Sequence, residues 1–165
     1  MNVLHRIRQQ THACVARVQF VECQGTDHGF HNRFASRPQY WLSFYRNMYE
    51  NCTTVTTNLE IVHLNPGYFG SGYDLSFFEN IREVHGYVLV ALNLVSRVPL
   101  TSLRVIRGLV QYVLPPRGPG SNTLEEEDGV GFSLYVAANS YRSPDGSESG
   151  LRVLELPALR GTDYS

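Results

Sequence analysis

Asp74-Leu75-Ser76-Phe77-Phe78-Glu79-Asn80-Ile81-Arg82-Glu83-Val84-His85-Gly86-Tyr87-Val88-Leu89-Val90-Ala91-Leu92-Asn93 carries two hydrophobic rhythms in succession. Leu75, Phe78, Ile81 and Val84 are apolar at steps of three, whereas beyond Gly86 the residues Val88 and Val90 alternate. Steps of three give a turn of coil with no long helix in it, and alternation gives a strand. Glycine stands at the join, where the backbone needs room. One rung of a stacked coil reads this way.

The pattern recurs. Apolar-x-x-apolar-x-Gly appears as Ile81, Val84, Gly86 and again as Leu103, Ile106, Gly108. Upstream, Cys52 and Val55 fit the same frame with Thr57 in the glycine position, followed by the strand Leu59-Glu60-Ile61-Val62. Downstream, Leu151, Leu154, Leu156 and Leu159 give L-x-x-L-x-L-x-x-L, with Gly161 behind them. Such steps at irregular periods of roughly twenty to thirty residues are the arithmetic of a solenoid. Each rung has an apolar edge that only a neighbouring rung can bury. The uneven spacing favours a short, distorted β-helix of leucine-rich-repeat-like rungs, with loops inserted between them, over a regular repeat array.

Bulk composition fits one small domain with an ample core. The formal net charge of −1 gives no sign of nucleic acid or an anionic membrane surface as partner. No stretch approaches the ~18 to 20 apolar residues that span a bilayer. All 14 basic residues are arginine. A P-loop lysine, a kinase phosphate-binding lysine and Schiff-base chemistry are thereby excluded from this chain.

Residues 1–22 are expected to form a loose leader, basic at its start but without the apolar core of a secretion signal. A helix is expected from Ser36 to Tyr49, with Ser36 as cap, Pro38 in the first turn and an apolar stripe of Trp41, Leu42, Tyr45, Met48 and Tyr49. That stripe would cover the open first rung. The stretch from Asn65 to Gly72 reads as a turn-rich loop. Proline, glycine and the run Glu125-Glu126-Glu127-Asp128 make the segment 113–130 an exposed, disordered insertion. Phe132 to Asn139 returns as a strand.

These blocks carry a resemblance. Tyr49-Glu50-Asn51-Cys52, Asn58-Leu59-Glu60-Ile61, Asp74-Leu75-Ser76-Phe77, Ile81 to Asn93 and Leu103 to Gly108 look like the first extracellular receptor L domain of the EGF-receptor (ErbB) family of receptor tyrosine kinases. Cys23-Gln24-Gly25-Thr26 is similar to the start of that ectodomain. The resemblance covers about residues 22 to 160 and is densest from 49 to 108. It implies a right-handed β-helix over 23–165 with an N-terminal capping helix, forming part of a growth-factor-binding ectodomain.

The resemblance also implies a bridge between Cys23 and Cys52, leaving Cys14 unassigned. Three free thiols remain the alternative, and a zinc site of Cys14, Cys23, His28 and His31 matches no usual ligand spacing. Asn51-Cys52-Thr53 is formally a glycosylation sequon at Asn51. By resemblance, ligand contacts fall at Asn32 and Phe34, then at His63, Leu92 and Ala137. Leu92 keeps the family's apolar character. His63 and Ala137 depart from it, since an aromatic and a larger aliphatic are typical there, and the segment from Gly29 to Arg33 departs in detail.

The implied function is binding of an EGF-like growth factor on the extracellular side of the plasma membrane. The implied partners are the other domains of a parent receptor and a second receptor chain. Stopping at Ser165 within a rung, the chain is expected to be incomplete at the C-terminus, a fragment, a truncated gene product or a spliced form of a longer receptor with no membrane span or kinase, and marginally stable or aggregation-prone alone. A structural or decoy module with the same fold but no growth factor is the second class. Catalysis is the third: stacked β-helices include polysaccharide lyases and hydrolases that use clustered carboxylates. Here the acids are scattered or confined to Glu125–Asp128, and no Ser-His-Asp or Cys-His arrangement stands out. No catalytic residue, metal or cofactor is expected.

Overall fold

Each apolar step of three turns the chain through a corner and delivers it to the next short strand. The computed structural model describes residues 20–26, 40–70, 72–114 and 130–161. The first pass runs through β1 (Glu22–Cys23). After α1 (Trp41–Tyr49), the second follows β2 (Thr54–Val55), β3 (Leu59–Val62) and a single helical turn, α2 (Pro66–Phe69). The third takes β4 (Glu83–Val84), β5 (Val88–Ala91) and β6 (Arg97–Pro99). The fourth opens with β7 (Val105–Ile106). A hairpin of β8 (Tyr112–Val113) and β9 (Gly131–Phe132) then precedes β10 (Leu134–Ala137). A second hairpin, β11 (Ser140–Arg142) with β12 (Glu148–Gly150), leads to β13 (Val153–Glu155).

Strands of successive passes stack in parallel. The first ladder is β1-β2-β4-β7, the second β3-β5-β10 and the third β6-β13. The fold is mainly β. Cys23, Val55, Val84 and Ile106 form one column, and Leu59, Val88 and Leu134 another. Cys52, Ile81 and Leu103, the first apolar residue of each repeated pattern, are fully buried. The steps of three are thus the inward-facing corners of the passes.

Two details of the repeat differ from the sequence reading. Leu154 lies opposite Val98, and the Arg160 N–H donates to the Arg104 C=O, so Leu154, Leu156 and Leu159 repeat Val98, Leu100 and Leu103. Gly161 consequently stands opposite Val105, three positions ahead of the glycine site of that rung. In the second difference, Pro66–Phe69 is helical where a loop was expected. Asn65 Oδ1 accepts the Gly67 N–H at 2.8 Å and Pro66 takes the first turn, the usual cap chemistry.

The glycine sites have a packing cause. A Cβ on Gly86 would collide with Asn58 Oδ1, which accepts the Tyr87 N–H at 3.2 Å. One pass earlier, Gly25 leaves the space into which the Thr57 hydroxyl and the Val55 methyl project. Thr57 can replace glycine because its own neighbour is glycine.

The exposed edge of β3 is closed by side chains. Thr26 Oγ1 accepts the Glu60 N–H at 3.1 Å. The Tyr45 hydroxyl donates to the Glu60 C=O at 2.8 Å and accepts the Val62 N–H at 2.9 Å. An open strand edge otherwise invites pairing with another chain. α1 is therefore a lid over that edge, with Trp41, Tyr45 and Tyr49 buried and Leu42 and Met48 half-buried. Tyr45 and Tyr49 each meet Phe78 at 5.7 Å between ring centroids. The expected Ser36 cap and Pro38 lie outside the described residues. Burial pushes the Tyr45 phenol well above its ordinary value, and burial followed by the nearby Glu60 carboxylate does the same to Tyr49.

Cys23 and Cys52 are bridged, with Cα atoms 5.9 Å apart. The bridge ties β1 to Cys52, two residues ahead of β2, and Cys23 is thereby unavailable to zinc. Cys14, His28 and His31 lie outside the described residues. The described residues include Val21, ahead of the expected boundary at residue 23. Val21 N–H donates to Thr53 Oγ1 at 2.8 Å, and its C=O accepts the Thr53 N–H at 2.9 Å.

Alkylation without reduction should label one of the 3 cysteines, and all of them after reduction. Replacing the bridged pair by serine should lower stability by about 3 kcal/mol. Tyr45→Phe, measured by urea unfolding, should cost roughly 1–3 kcal/mol near neutral pH, since two β3 backbone groups lose their partner. Both phenols titrate higher in the folded chain. Their contribution is therefore full below the unfolded tyrosine value of ~10 and is lost as pH rises past it, so the gap to Tyr45→Phe should narrow in that range.

Candidate functional site

The second ladder ends in a repeated turn. His63, Leu92 and Ala138 directly follow β3, β5 and β10, and all three have left-handed backbone, with φ of 59°, 57° and 53°. Val62, Ala91 and Ala137 are paired in register, so the residues after them form one column across three passes. A non-glycine residue in this conformation costs roughly 1–2 kcal/mol, and here the cost recurs three times.

Asparagines beside the column hold it in place. Asn93 Nδ2 donates to the Ile61 C=O at 2.8 Å and its Oδ1 accepts the Leu64 N–H at 3.0 Å. One pass on, Asn139 Nδ2 donates to the Val90 C=O at 2.7 Å and its Oδ1 accepts the Asn93 N–H at 3.0 Å. Each amide thus satisfies the turn of the preceding pass. Backbone groups that the left-handed kink pulls out of the ladder are not left bare.

Around the column lies an open groove of about 370 Å³, whose lining includes Trp41, His63, Tyr68, Leu92, Ala138 and Tyr141. Its lining is mainly apolar. Leu92 is 47%, Tyr68 54% and Tyr141 52% exposed, while the Trp41 ring at its base lies 5.7 Å from the His63 imidazole. Such a concavity can take an apolar or aromatic side chain of a partner. Among the described residues, no group of three or more His, Cys, Asp or Glu could hold a metal ion.

The structure brings His63 and Leu92 together on one wall. Ala137 sits one position earlier, inside the ladder opposite Ala91, and the third member of the column is Ala138. Asn32 and Phe34 lie outside the described residues. Asn51 is exposed with φ of 64° directly after the α1 C-cap Glu50, while Thr53 of its sequon is buried against Val21. The asparagine ladder and Trp41, Tyr68 and Tyr141 were not anticipated as groove-forming. One signal was available: Val90-Ala91-Leu92-Asn93 and Val136-Ala137-Ala138-Asn139 share the pattern Val-Ala-x-Asn, and aligning them pairs Leu92 with Ala138.

Residues 51–114 match the family described as Receptor L domain. The chain is 36% identical over 140 residues to a melanoma receptor tyrosine-protein kinase of Xiphophorus maculatus, covering 83% of this chain and 10% of that protein. Identity to receptor tyrosine-protein kinase erbB-2 of Rattus norvegicus is 35% over 144 residues, with coverage of 83% and 10%. The epidermal growth factor receptor of Gallus gallus is 40% identical over 99 residues, 60% of this chain and 13% of that protein. The chain belongs to the ErbB-family receptor L domain. It spans about a tenth of the length of the first two relatives. The kinase in the relatives' names belongs to other regions of those proteins. No helix among the described residues of this L domain is long and apolar enough to cross a membrane.

Asn93→Ala leaves the Ile61 C=O and Leu64 N–H without their side-chain partner in the interior. Urea unfolding should show a loss of about 2–4 kcal/mol, and the His63 and Leu92 backbone signals in NMR should shift together.

Proposed function

We propose that this L domain presents the face against which an EGF-like growth factor lies. It would do so on the extracellular side of the plasma membrane, as part of a receptor activated with its other domains and a second receptor chain. The column of left-handed His63, Leu92 and Ala138 carries the reading. Backbone strain persists where the surrounding structure enforces it, and it collects at binding surfaces. Here it turns side chains outward at the ends of three strands, along one groove. A protruding apolar side chain of a ligand would lodge over Leu92, between Tyr68 and Tyr141, with Trp41 as floor. The Cys23–Cys52 bridge supports an oxidising compartment.

In this reading the three parallel ladders are faces of a right-handed β-helix over residues 23–165, with Asn32 and Phe34 adding contacts beside the groove. A glycan on Asn51 would be attached before the first pass closes, because folding engages the Thr53 hydroxyl with Val21. His63 and Ala137, where an aromatic and a larger aliphatic are typical of the family, point to a ligand with a different contact pattern from those of the best-known relatives.

The test is surface plasmon resonance of the oxidised chain, expressed through a secretory pathway, against a panel of EGF-like growth factors. At least one should bind the wild type. Leu92→Gly should weaken that binding tenfold or more while leaving stability unchanged or higher by ~1 kcal/mol, since glycine relieves the left-handed strain. A natively bridged protein that binds none of the panel would refute the growth-factor reading and leave a structural or decoy module.

A further inference from the structure

A second column runs along the first ladder, outside the groove. The Arg104 N–H donates to the Arg82 C=O at 2.8 Å, and the Arg160 N–H donates to the Arg104 C=O at 3.0 Å. Arg82, Arg104 and Arg160 therefore occupy one position on three consecutive passes. Adjacent strands are ~4.8 Å apart, so the backbones of the three arginines lie within about 10 Å along a straight line. Arg104 and Arg160 are exposed and Arg82 is half-buried.

Nothing among the described residues neutralises them. The ion pairs of the surface engage Arg46, Arg97, Arg107, Arg142 and His85, and none engages this column. Glu83, the acid adjacent in sequence, is already held by Arg107 at 2.6 Å and His85 at 3.2 Å. The Arg107 hydrogen bond keeps that carboxyl below its usual range. Like charges stacked on neighbouring strands repel, and the fold gains nothing from them. An anion from outside would remove the repulsion.

We propose that the Arg82–Arg104–Arg160 column is a docking site for a sulfated polysaccharide chain. Guanidinium groups offer paired N–H donors that match the oxygens of a sulfate. A row of cations at one per rung complements a linear polyanion charged at regular intervals better than it complements a compact acidic partner. The disulfide supports an oxidising compartment, where sulfated chains, and not nucleic acids, are the abundant linear polyanions. The inference does not rest on the growth-factor reading, since the column and the groove lie on different ladders.

The test is binding of the whole oxidised chain to immobilised heparin across a salt series. Wild type should bind. Arg82→Gln/Arg104→Gln/Arg160→Gln should bind at least ~10-fold more weakly, with a salt-dependence slope lower by about 2–3, as expected for three lost contacts to a linear polyanion. A charge-matched variant, Arg46→Gln/Arg97→Gln/Arg142→Gln, should keep wild-type affinity, and desulfated heparin should not bind. Arg104→Gln alone should weaken binding without lowering the melting temperature, which covers the case of a triple variant that misfolds. The proposal is overturned by equal losses in the two triple variants, by undiminished binding to desulfated heparin, or by binding to phosphatidylserine vesicles in place of heparin.

Discussion

Every pass of this chain exposes backbone N–H and C=O groups that only the next pass can pair. That requirement organises the molecule. Strands as short as Thr54–Val55 or Glu83–Val84 could not persist alone, because two residues of pairing do not offset the entropy of ordering them. Stacked in parallel with Cys23, Val55, Val84 and Ile106 in one column, they bury an apolar seam that no single rung owns. The glycine sites follow from the same demand for close approach: where one rung places Asn58 against the next, Gly86 must lack a side chain.

A stack has ends, and its first end is finished by polar side chains together with covered apolar surface. Thr26 and Tyr45 supply the partners that a strand before β3 would otherwise provide. The Cys23–Cys52 bridge anchors the end strand of the first ladder beside them. Burial holds the tyrosine protonated, so its hydroxyl keeps both of its roles, donor to one carbonyl and acceptor from one amide. Helix, bridge and hydroxyls close one end of the stack together.

The groove arises from the corner chemistry of the second ladder. Left-handed backbone at His63, Leu92 and Ala138 swings each chain out of its strand, and Asn93 and Asn139 recover the hydrogen bonds that the swing removes. The strain is tolerated because the amide ladder over-determines the turn. Leu64 stands where the asparagines stand later, and β3 is the end strand of its ladder among the described residues. A wall of side chains with fixed spacing results, and the receptor reading depends on it.

How much of this was legible in the chain itself differs by level. The three-step apolar rhythm, the strands at Leu59–Val62 and Val88–Ala91, the apolar stripe of the helix and the family resemblance stand in local sequence, because burial of one edge per rung imposes a pattern at short range. The bridge was legible through resemblance alone. Register was less so: Gly161 looked like a rung-closing glycine yet pairs with Val105, and Ala137 looked like the counterpart of Leu92 where Ala138 holds that place. Periodicity says which residues face inward, but a shift of one to three positions between passes is decided by which backbone groups meet. The arginine column and the asparagine ladder belong to the same class, since their members lie 22 to 56 residues apart in sequence and become neighbours only when the passes stack. The sequence by itself determined that the chain forms short strands set between apolar corners and which residues of each are buried, because those follow from local hydrophobic spacing. The tertiary structure alone decided what stands beside what on the outer faces, because inter-rung hydrogen bonding sets the register and loop length hides it.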